Sequence, residues 1–290
     1  MKILVLGGTS SIAEDFLRIA SANRAWEIHA TFCKNRPRKN LEQVKWTNFC
    51  LEAGLEDIKS SLGEFNFNYI INFIVLDLNT SLEKHYNILA NLVTNLLRNN
   101  TRFINVSSNA VYVESFILIN EDSKLDINSH YSNQKILSEN ILSGQQLNLR
   151  AAILPTTDFG SGSLVKNIYN AQVNSKIIVN PKNKWNGILS INFAEILYAI
   201  INKNLYVSGE RNIFSLNPEP TSRLMKAIQV FTGRKDLIVE LNSDVPINSR
   251  ILNTKYSEFH IELWRNSRFG TEITTSRVLA ELAKLQFHRP

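Results

Sequence analysis

Residues 2–13 read KILVLGGTSSIA, and this stretch decides the fold of the first half of the chain. The apolar run from Ile3 to Leu6 is typical of a strand that is buried on both faces. After the glycine turn, Ile12, Phe16 and Ile19 recur at the spacing of a buried helix face. A strand, a glycine turn and a helix N-terminus in this order can hold a pyrophosphate through backbone N–H groups and the helix dipole. The stretch therefore predicts a βα unit suited to a dinucleotide.

Apolar runs and amphipathic segments continue to alternate after this unit. Such alternation is typical of a parallel sheet that is covered by helices on both faces. We therefore predict an α/β, doubly wound domain of the Rossmann type over residues 1–155. Its further strands are predicted at Trp26–Phe32, Phe67–Ile74, Arg102–Val106 and Leu147–Leu154, and its further helices at Leu51–Leu62, Leu82–Leu97 and Tyr131–Leu142.

The pattern changes after Pro155. Residues 156–290 predict a smaller C-terminal α/β lobe that binds the substrate, with some segments returning to the first sheet. A loop rich in Gly, Ser and Thr opens this lobe. Its predicted helices are Ile191–Asn202, Ser222–Thr232 and Ile273–Leu285, and its predicted strands are Asn212–Leu216 and Leu237–Leu241.

Composition and charge narrow the class of protein. Of the 290 residues, 44% are hydrophobic and 20% are charged, which is ordinary for a globular protein and excludes wholesale disorder. The net charge of +6 is spread along the chain without a basic helix or interleaved aromatic residues. We therefore expect small anionic ligands and no nucleic acid. No apolar run approaches the roughly 20 residues of a membrane span, and no signal peptide is evident.

The number and spacing of the cysteines and histidines indicate whether the chain binds a metal and in which redox environment it works. Cys33 and Cys50 are the two cysteines of the chain, too few for a disulfide framework or a multi-cysteine zinc site. The five histidines show no metal-ligand spacing. We therefore expect no bound metal and a reducing, cytoplasmic location.

The glycine turn departs from the usual dinucleotide pattern. Its three small positions, in the spacing G-x-x-G-x-x-G, hold Gly7, Ser10 and Ala13. Serine and alanine are small, so a cofactor can still approach the backbone. On this stretch alone, an ordinary βα turn is the alternative. The residues that we expect to contact the cofactor here are Gly7, Thr9, Ser10, Ser11 and Ile12.

The end of the second predicted strand bears on the choice of cofactor. A protein that binds NAD usually carries an acid about 20 residues after the glycines, where it holds the ribose hydroxyls. Here residues 30–36 read ATFCKNR and contain no acid. Lys34 and Arg36 are instead placed to pair with a 2′-phosphate. This favours NADP, with a solvated basic loop as the alternative.

Ser108, Tyr131 and Lys135 are the candidate catalytic residues. Tyr131 and Lys135 form Y-x-x-x-K, a spacing that puts both side chains on one face of the predicted helix. Ser108 follows a predicted strand, at the end where open α/β sheets bind their ligands. A nearby ammonium group would lower the pKa of the Tyr131 phenol, which could then exchange a proton with a substrate alcohol or ketone. Ser108 would hydrogen-bond the reacting oxygen, and Lys135 would also hold the nicotinamide ribose.

Three motifs together resemble those of a known family. KILVLGGTSSIA at residues 2–13, VSSNAVY at 106–112 and YSNQK at 131–135 resemble the extended short-chain dehydrogenase/reductases. Residues 184–187 and 245–255 resemble stretches of the dTDP-4-dehydrorhamnose reductases and related sugar-nucleotide reductases. The resemblance implies NADPH as cofactor, a nucleotide sugar as substrate, and a homodimer that pairs through Leu82–Leu97 and Tyr131–Leu142. On this basis we expect Asn109, Asn248 and Arg250 to contact the substrate and Phe73 to contact the cofactor.

Several positions depart from that family. Asn48–Leu51 stands where an Asp usually holds the adenine, and the bulky Phe73 and Ile74 could narrow the cofactor channel. The leading hypothesis is an NADP-dependent reductase of a nucleotide-activated 4-keto-6-deoxy sugar in surface polysaccharide biosynthesis. A second hypothesis is an NAD-dependent sugar-nucleotide epimerase or dehydratase. A third, suggested by the altered glycine motif, is a non-catalytic regulatory subunit that binds NADP.

Overall fold

A seven-stranded parallel sheet forms the centre of the computed structural model. Its spatial order is β11-β6-β5-β4-β1-β2-β3. The order reverses between β1 and β4, and a ligand crevice is expected at the carboxyl ends of the strands at such a point. The strands are β1 (Lys2–Leu6), β2 (Glu27–Phe32), β3 (Val44–Asn48), β4 (Tyr69–Asn72), β5 (Arg102–Val106), β6 (Leu147–Ala151) and β11 (Gly209–Ile213).

The structure describes residues 1–37, 41–50, 66–75, 81–98, 100–115, 117–142, 144–156 and 163–285. The predicted helix Leu51–Leu62 lies outside these residues, as does most of the predicted loop after Pro155. Within the described part, no helix is long and apolar enough to cross a membrane.

Helices cover both faces of the sheet, and the alternating side chains of β1 show why. Ile3 and Val5 point into one apolar cluster, and Leu4 and Leu6 point into another on the opposite face. The helices are α1 (Ser11–Ala20), α2 (Leu82–Leu96), α3 (His130–Glu139), α4 (Leu164–Tyr169), α5 (Ser190–Asn202), α6 (Thr221–Thr232), α7 (Ser257–Asn266) and α8 (Thr275–Lys284). The first cluster packs under α1 and α5, and the second under α2. The predicted doubly wound α/β fold is confirmed.

Short strand pairs join the segments of the C-terminal part. β7 (Ile153–Leu154) pairs with β10 (Ile188–Leu189) in parallel, and β8 (Lys176–Val179) pairs in the same way with β13 (Ile238–Leu241). β9 (Lys184–Trp185) pairs antiparallel with β12 (Glu219–Pro220). The sequence did not predict β3, β8, β9, β10, β12, α4 or α7. These elements carry many polar residues or are short, so their apolar periodicity is weak.

Two elements of the C-terminal half, one strand and one helix, pack with the central sheet and its helices. β11 lies beside β6 at the sheet edge, three residues earlier than the predicted strand Asn212–Leu216. α5 packs against α1, where the Ser190 hydroxyl donates a hydrogen bond to the Asp15 carboxylate. Segments between residues 156 and 290 therefore complete the central sheet and its helical cover, and a separate substrate-binding lobe stays a prediction.

The two cysteines form a disulfide bond, although the sequence predicted none. The Cα atoms of Cys33 and Cys50 lie 4.9 Å apart and are 17 positions apart in sequence. The parallel pairing of β2 with β3 causes this approach, because the last residue pair of the two strands is Phe32 with Asn48. Cys33 follows Phe32 directly and Cys50 lies two residues after Asn48, so the two cysteines meet just beyond the strand ends.

Candidate active site

The glycine turn is closed by contacts that require glycine. Gly7 has a φ of +73°, and a Cβ atom there would lie 3.1 Å from the Ile74 nitrogen. A Cβ atom on Gly8 would lie 2.9 Å from the Ala30 Cβ. The Gly7 N–H donates to Thr31 Oγ1 at 3.0 Å, and the Gly8 N–H donates to the Thr31 carbonyl at 2.7 Å. The turn is therefore held against the ends of β4 and β2.

The N-terminus of α1 fits the pyrophosphate of a dinucleotide. Ser10 caps the helix, because its hydroxyl oxygen accepts a hydrogen bond from the Ala13 N–H at 3.2 Å. The N–H groups of Ser11 and Ile12 make no hydrogen bond to any other described residue. Free N–H groups in the first turn of a helix bind phosphate oxygens well. Ser10 and Ala13 in place of glycines therefore leave N–H groups in this first turn that could bind an anion.

Phe73 does not narrow the crevice. Its side chain is buried in the apolar cluster under α1, where its ring centroid lies 6.3 Å from that of Phe16. The backbone of Phe73 and Ile74, in contrast, lies directly against Gly7 and so lines the glycine turn. A contact between Phe73 and the cofactor stays a prediction, and the position of Phe73 leaves its main chain rather than its buried ring for such a contact.

The three candidate catalytic residues meet at the carboxyl end of β5. Ser108 lies just after β5, and its hydroxyl oxygen accepts a hydrogen bond from the Ala110 N–H at 3.1 Å. Lys135 Nζ donates to the Val106 carbonyl at 2.8 Å and lies 5.9 Å from the centroid of the Tyr131 ring. The Tyr131 and Ser108 hydroxyls interact with each other. The spacing Y-x-x-x-K therefore places a phenol, a hydroxyl and an ammonium group together.

The environment of Tyr131 shifts its pKa upward, contrary to the expected lowering by Lys135. Tyr131 as a whole residue is 38% exposed, but its hydroxyl is surrounded by protein, and this burial raises the pKa of Tyr131. The interaction with Ser108 acts in the opposite direction and is the weaker effect. In the protein without cofactor, the phenol therefore keeps its proton at neutral pH.

Lys135 is buried and its charge is only partly compensated. Burial lowers the pKa of Lys135 to about 8, and the nearby carboxylate of Glu139 acts against this shift. Glu139 lies one helical turn further along α3. The lysine ammonium is thus available below about pH 8 and is lost as the pH rises through that value.

Glu139 and Arg150 form a buried ion pair next to the three candidate catalytic residues. Glu139 accepts hydrogen bonds from Arg150 Nε at 2.8 Å and from Arg150 Nη2 at 2.6 Å, and it also accepts one from Ser107 Oγ at 2.5 Å. Arg150 Nη1 donates to the Tyr112 hydroxyl at 2.9 Å, and burial raises the pKa of Tyr112 to about 12. Ser107, which precedes Ser108, and Glu139, one helical turn after Lys135, are therefore both linked to Arg150 of β6.

A chain of buried amides lies beneath the same strand ends, and the sequence analysis missed it. Asn72 Nδ2 donates to Asn105 Oδ1 at 2.9 Å, and Asn105 Nδ2 donates to Asn148 Oδ1 at 3.1 Å. The Asn72 side chain also accepts from the Ile74 N–H at 3.1 Å, next to the glycine turn. The available signal was an Asn inside each of three apolar strands, where a polar side chain needs a partner.

Arg250, Asn248 and Asn109 are the residues predicted to contact the substrate. Arg250 forms ion pairs with Glu114 at 3.1 Å and with Asp126 at 3.5 Å, and its Nε donates to the Tyr112 carbonyl at 2.6 Å. When the Asn248 amide is oriented with its nitrogen toward Glu114, that nitrogen donates a hydrogen bond to Glu114 Oε2 at 3.1 Å. Asn109 lies half-buried in the turn after Ser108. Two carboxylates thus already compensate the Arg250 charge.

The predicted phosphate-binding side chains lie beside the disulfide. Lys34 and Arg36 are both exposed in the loop that follows β2 and Cys33. This is the end of the strand where a dinucleotide places its adenosine ribose. Among the described residues, no group of three His, Cys, Asp or Glu side chains is placed to hold a metal ion.

The fold is similar to that of solved sugar-nucleotide epimerases, dehydratases and reductases. UDP-N-acetylglucosamine 4-epimerase from Bacillus cereus aligns with a TM-score of 0.71 and 17% identity over 98% of both chains. dTDP-glucose 4,6-dehydratase from Bacillus anthracis, in complex with NAD, aligns with a TM-score of 0.70 and 15% identity over 98% of this chain and 96% of that chain. A dTDP-4-dehydrorhamnose reductase from Clostridium acetobutylicum aligns with a TM-score of 0.62 and 15% identity over 97% and 98%.

These likenesses are structural. No protein-family model matches the sequence, and no curated protein matches it. At such low identity the solved structures show the fold, and the chemistry has to be argued from the side chains of this chain.

Proposed function

We propose that the protein is an NADP-dependent reductase of a nucleotide-activated 4-keto-6-deoxy sugar. The observation that carries the proposal is the meeting of Ser108, Tyr131 and Lys135 at the carboxyl end of β5, on the same sheet edge as the N-terminus of α1. The proposal places the enzyme in the cytoplasm, in surface polysaccharide biosynthesis, as a homodimer that pairs through α2 and α3. It assigns substrate binding mainly to residues 156–290.

Each part of the site has a role in this chemistry. The free N–H groups of Ser11 and Ile12 would hold the pyrophosphate, and the nicotinamide supplies the hydride when the cofactor is bound. Tyr131 would deliver a proton to the ketone oxygen, and Ser108 would hold that oxygen by a hydrogen bond. Reduction of a ketone needs the protonated phenol, which is the form that burial favours. Lys135 would hold the nicotinamide ribose and supply positive charge beside the phenol.

A second candidate function is an epimerase or dehydratase that keeps NAD bound. It is supported by neighbours of both kinds, including a dehydratase in complex with NAD. Residues 30–36 count against it, because no acid stands there to bind the ribose hydroxyls of NAD. The third hypothesis, a non-catalytic subunit, is weakened by the intact cap and the free N–H groups of α1.

A substrate screen tests the proposal. We expect the purified protein to oxidise NADPH in the presence of one member of a panel of 4-keto-6-deoxy nucleotide sugars, as followed by the loss of nicotinamide absorbance. The same sample is examined by mass spectrometry for retained NAD. Retained NAD with conversion of the sugar and no net oxidation of NADPH would support the epimerase or dehydratase. Failure to bind either cofactor would contradict both enzyme hypotheses.

Cofactor preference provides a second test. Lys34→Gln combined with Arg36→Gln should weaken NADPH binding more than about tenfold, which is above ~1.4 kcal/mol, and leave NADH binding nearly unchanged. The reason is that both charges would face the 2′-phosphate, which NADH lacks. Fluorescence titration with each cofactor measures the effect.

The control for this pair removes the same charge elsewhere. Lys182→Gln combined with Lys226→Gln changes two exposed lysines of the C-terminal part, and it should alter neither titration. An equal loss of NADPH and NADH affinity in the Lys34 and Arg36 variant would contradict the assignment of this loop to the 2′-phosphate.

A further inference from the structure

We propose that Cys33 and Cys50 form a thiol–disulfide site that controls cofactor binding. In the oxidised form the disulfide holds the loop with Lys34 and Arg36 at the adenosine end of the crevice, and reduction by a dithiol weakens NADPH binding. The proposal rests on the proposed use of NADPH by this protein.

The disulfide lies where two parallel strands end. β3 is the outer strand of the described sheet and pairs only with β2 there. Beyond the last pair of the strands, the Phe49 N–H donates to the Phe32 carbonyl at 2.7 Å, and the bond between Cys33 and Cys50 then closes the end. Reduction therefore leaves a hydrogen-bonded strand pair but removes the covalent link from its free end.

The same end of β2 is joined to the glycine turn. Thr31 accepts the N–H groups of both Gly7 and Gly8, so the position of this strand end affects the turn that faces the pyrophosphate. Lys34 comes directly after Cys33, and Arg36 follows two residues later. The cross-link therefore lies between the glycine turn and the two basic side chains proposed for the 2′-phosphate.

The pair is placed to react. Cys33 and Cys50 are both half-buried rather than enclosed in the core, so a small dithiol can reach them. Intracellular disulfides, where they occur, are usually transient or redox-sensing rather than structural. The bond between Cys33 and Cys50 lies at a proposed ligand-binding edge of a protein that we propose to be cytoplasmic. It therefore fits the class of redox-sensing disulfides.

The reaction is a thiol–disulfide exchange. A thiolate of the dithiol attacks one cysteine sulfur, forms a mixed disulfide and releases the other cysteine as a thiolate. The second thiol of the reagent then closes its own disulfide and releases the first cysteine. Two electrons and two protons pass from the dithiol to the protein, which ends with two free thiols. The reverse exchange with a disulfide reagent restores the bond.

The test compares three forms of the full chain: the oxidised protein, the protein reduced with dithiothreitol, and the variant Cys33→Ser/Cys50→Ser. Mass spectrometry of the intact chain follows the gain of two hydrogen atoms on reduction, and circular dichroism checks that each form is folded. Fluorescence titrations give the affinities for NADPH and NADH.

Reduction should weaken NADPH binding roughly fivefold to a hundredfold, because two long basic side chains and their loop must then be ordered on binding. NADH binding should change less, since it lacks the phosphate that these side chains face. The double serine variant should bind NADPH as the reduced protein does and should not respond to the reductant.

Equal NADPH affinity in the oxidised and fully reduced protein would overturn the proposal, as would cysteines that stay reduced when treated with a disulfide reagent. Both results are distinct from failure of the proposed function, in which none of the three forms binds NADPH.

Discussion

Tyr131→Phe should lower the turnover of NADPH-dependent ketone reduction by roughly 10²–10⁴, which is the usual contribution of a general acid. The change removes only the phenolic oxygen, so the ring keeps its contacts and the fold should survive. The KM for the substrate should change little, because the lost interaction is made mainly in the transition state. Steady-state kinetics on the keto sugar found in the screen measures both quantities.

Tyr86→Phe is the matched control. Tyr86 lies on α2, and its hydroxyl donates to the carbonyl of Asn140, just after the end of α3, at 3.0 Å. Its loss should leave turnover unchanged. Lys135→Ala should lower both turnover and NADPH affinity, and Ser108→Ala should have an effect between those of the other two site variants. Near-normal turnover in Tyr131→Phe would show that the Y-x-x-x-K spacing is a coincidence and that any chemistry lies elsewhere.

The sequence predicted those strands and helices of the central domain whose own residues show a clear apolar pattern. β5 lies at the predicted residues Arg102–Val106, where the apolar residues Phe103, Ile104 and Val106 are buried. α2 and α5 lie within one residue of prediction, because their apolar periodicity is strong. The proximity of Tyr131 to Lys135 also follows from local spacing, since residues four apart share a helix face.

Features that depend on distant partners could not be predicted in this way. The residues of β11 do not encode that β6 is its neighbour. The pairing of Cys33 with Cys50 depends on the register of β2 against β3, and β3 was not recognised. The upward shift of the Tyr131 pKa depends on how tightly the protein packs around its hydroxyl, which no spacing of residues reports.

The buried ion pair under the catalytic group is a further example, and its removal should have the largest effect on stability. Arg150→Met should lower the free energy of unfolding by about 3–5 kcal/mol, the usual cost of leaving one charge of a buried pair without its partner. Glu139 and Arg150 are each only 4% exposed, so water cannot replace the lost contact. Equilibrium unfolding in urea, followed by circular dichroism, measures the change.

An exposed pair provides the comparison. Arg277 Nε lies 3.3 Å from Glu281 Oε1 on α8, with the arginine side chain 51% exposed, so Arg277→Met should cost at most about 0.5 kcal/mol. Arg150→Met combined with Glu139→Leu should recover part of the loss, because replacing both partners of a buried pair removes the unpaired charge. A cost for Arg150→Met no larger than that for Arg277→Met would contradict this account.

The double variant Arg150→Met/Glu139→Leu also distinguishes the contribution of the ion pair to stability from its contribution to the arrangement of the candidate catalytic residues. Glu139 accepts a hydrogen bond from Ser107, next to Ser108, and its charge raises the pKa of Lys135 against the effect of burial. The stability recovered in the double variant Arg150→Met/Glu139→Leu should therefore come without recovery of activity, since that variant lacks the carboxylate. The upper pKa of its pH–rate profile should fall below the wild-type value, because Lys135 then loses its proton more readily. A double variant with wild-type turnover and an unchanged pH–rate profile would limit the pair to a structural role.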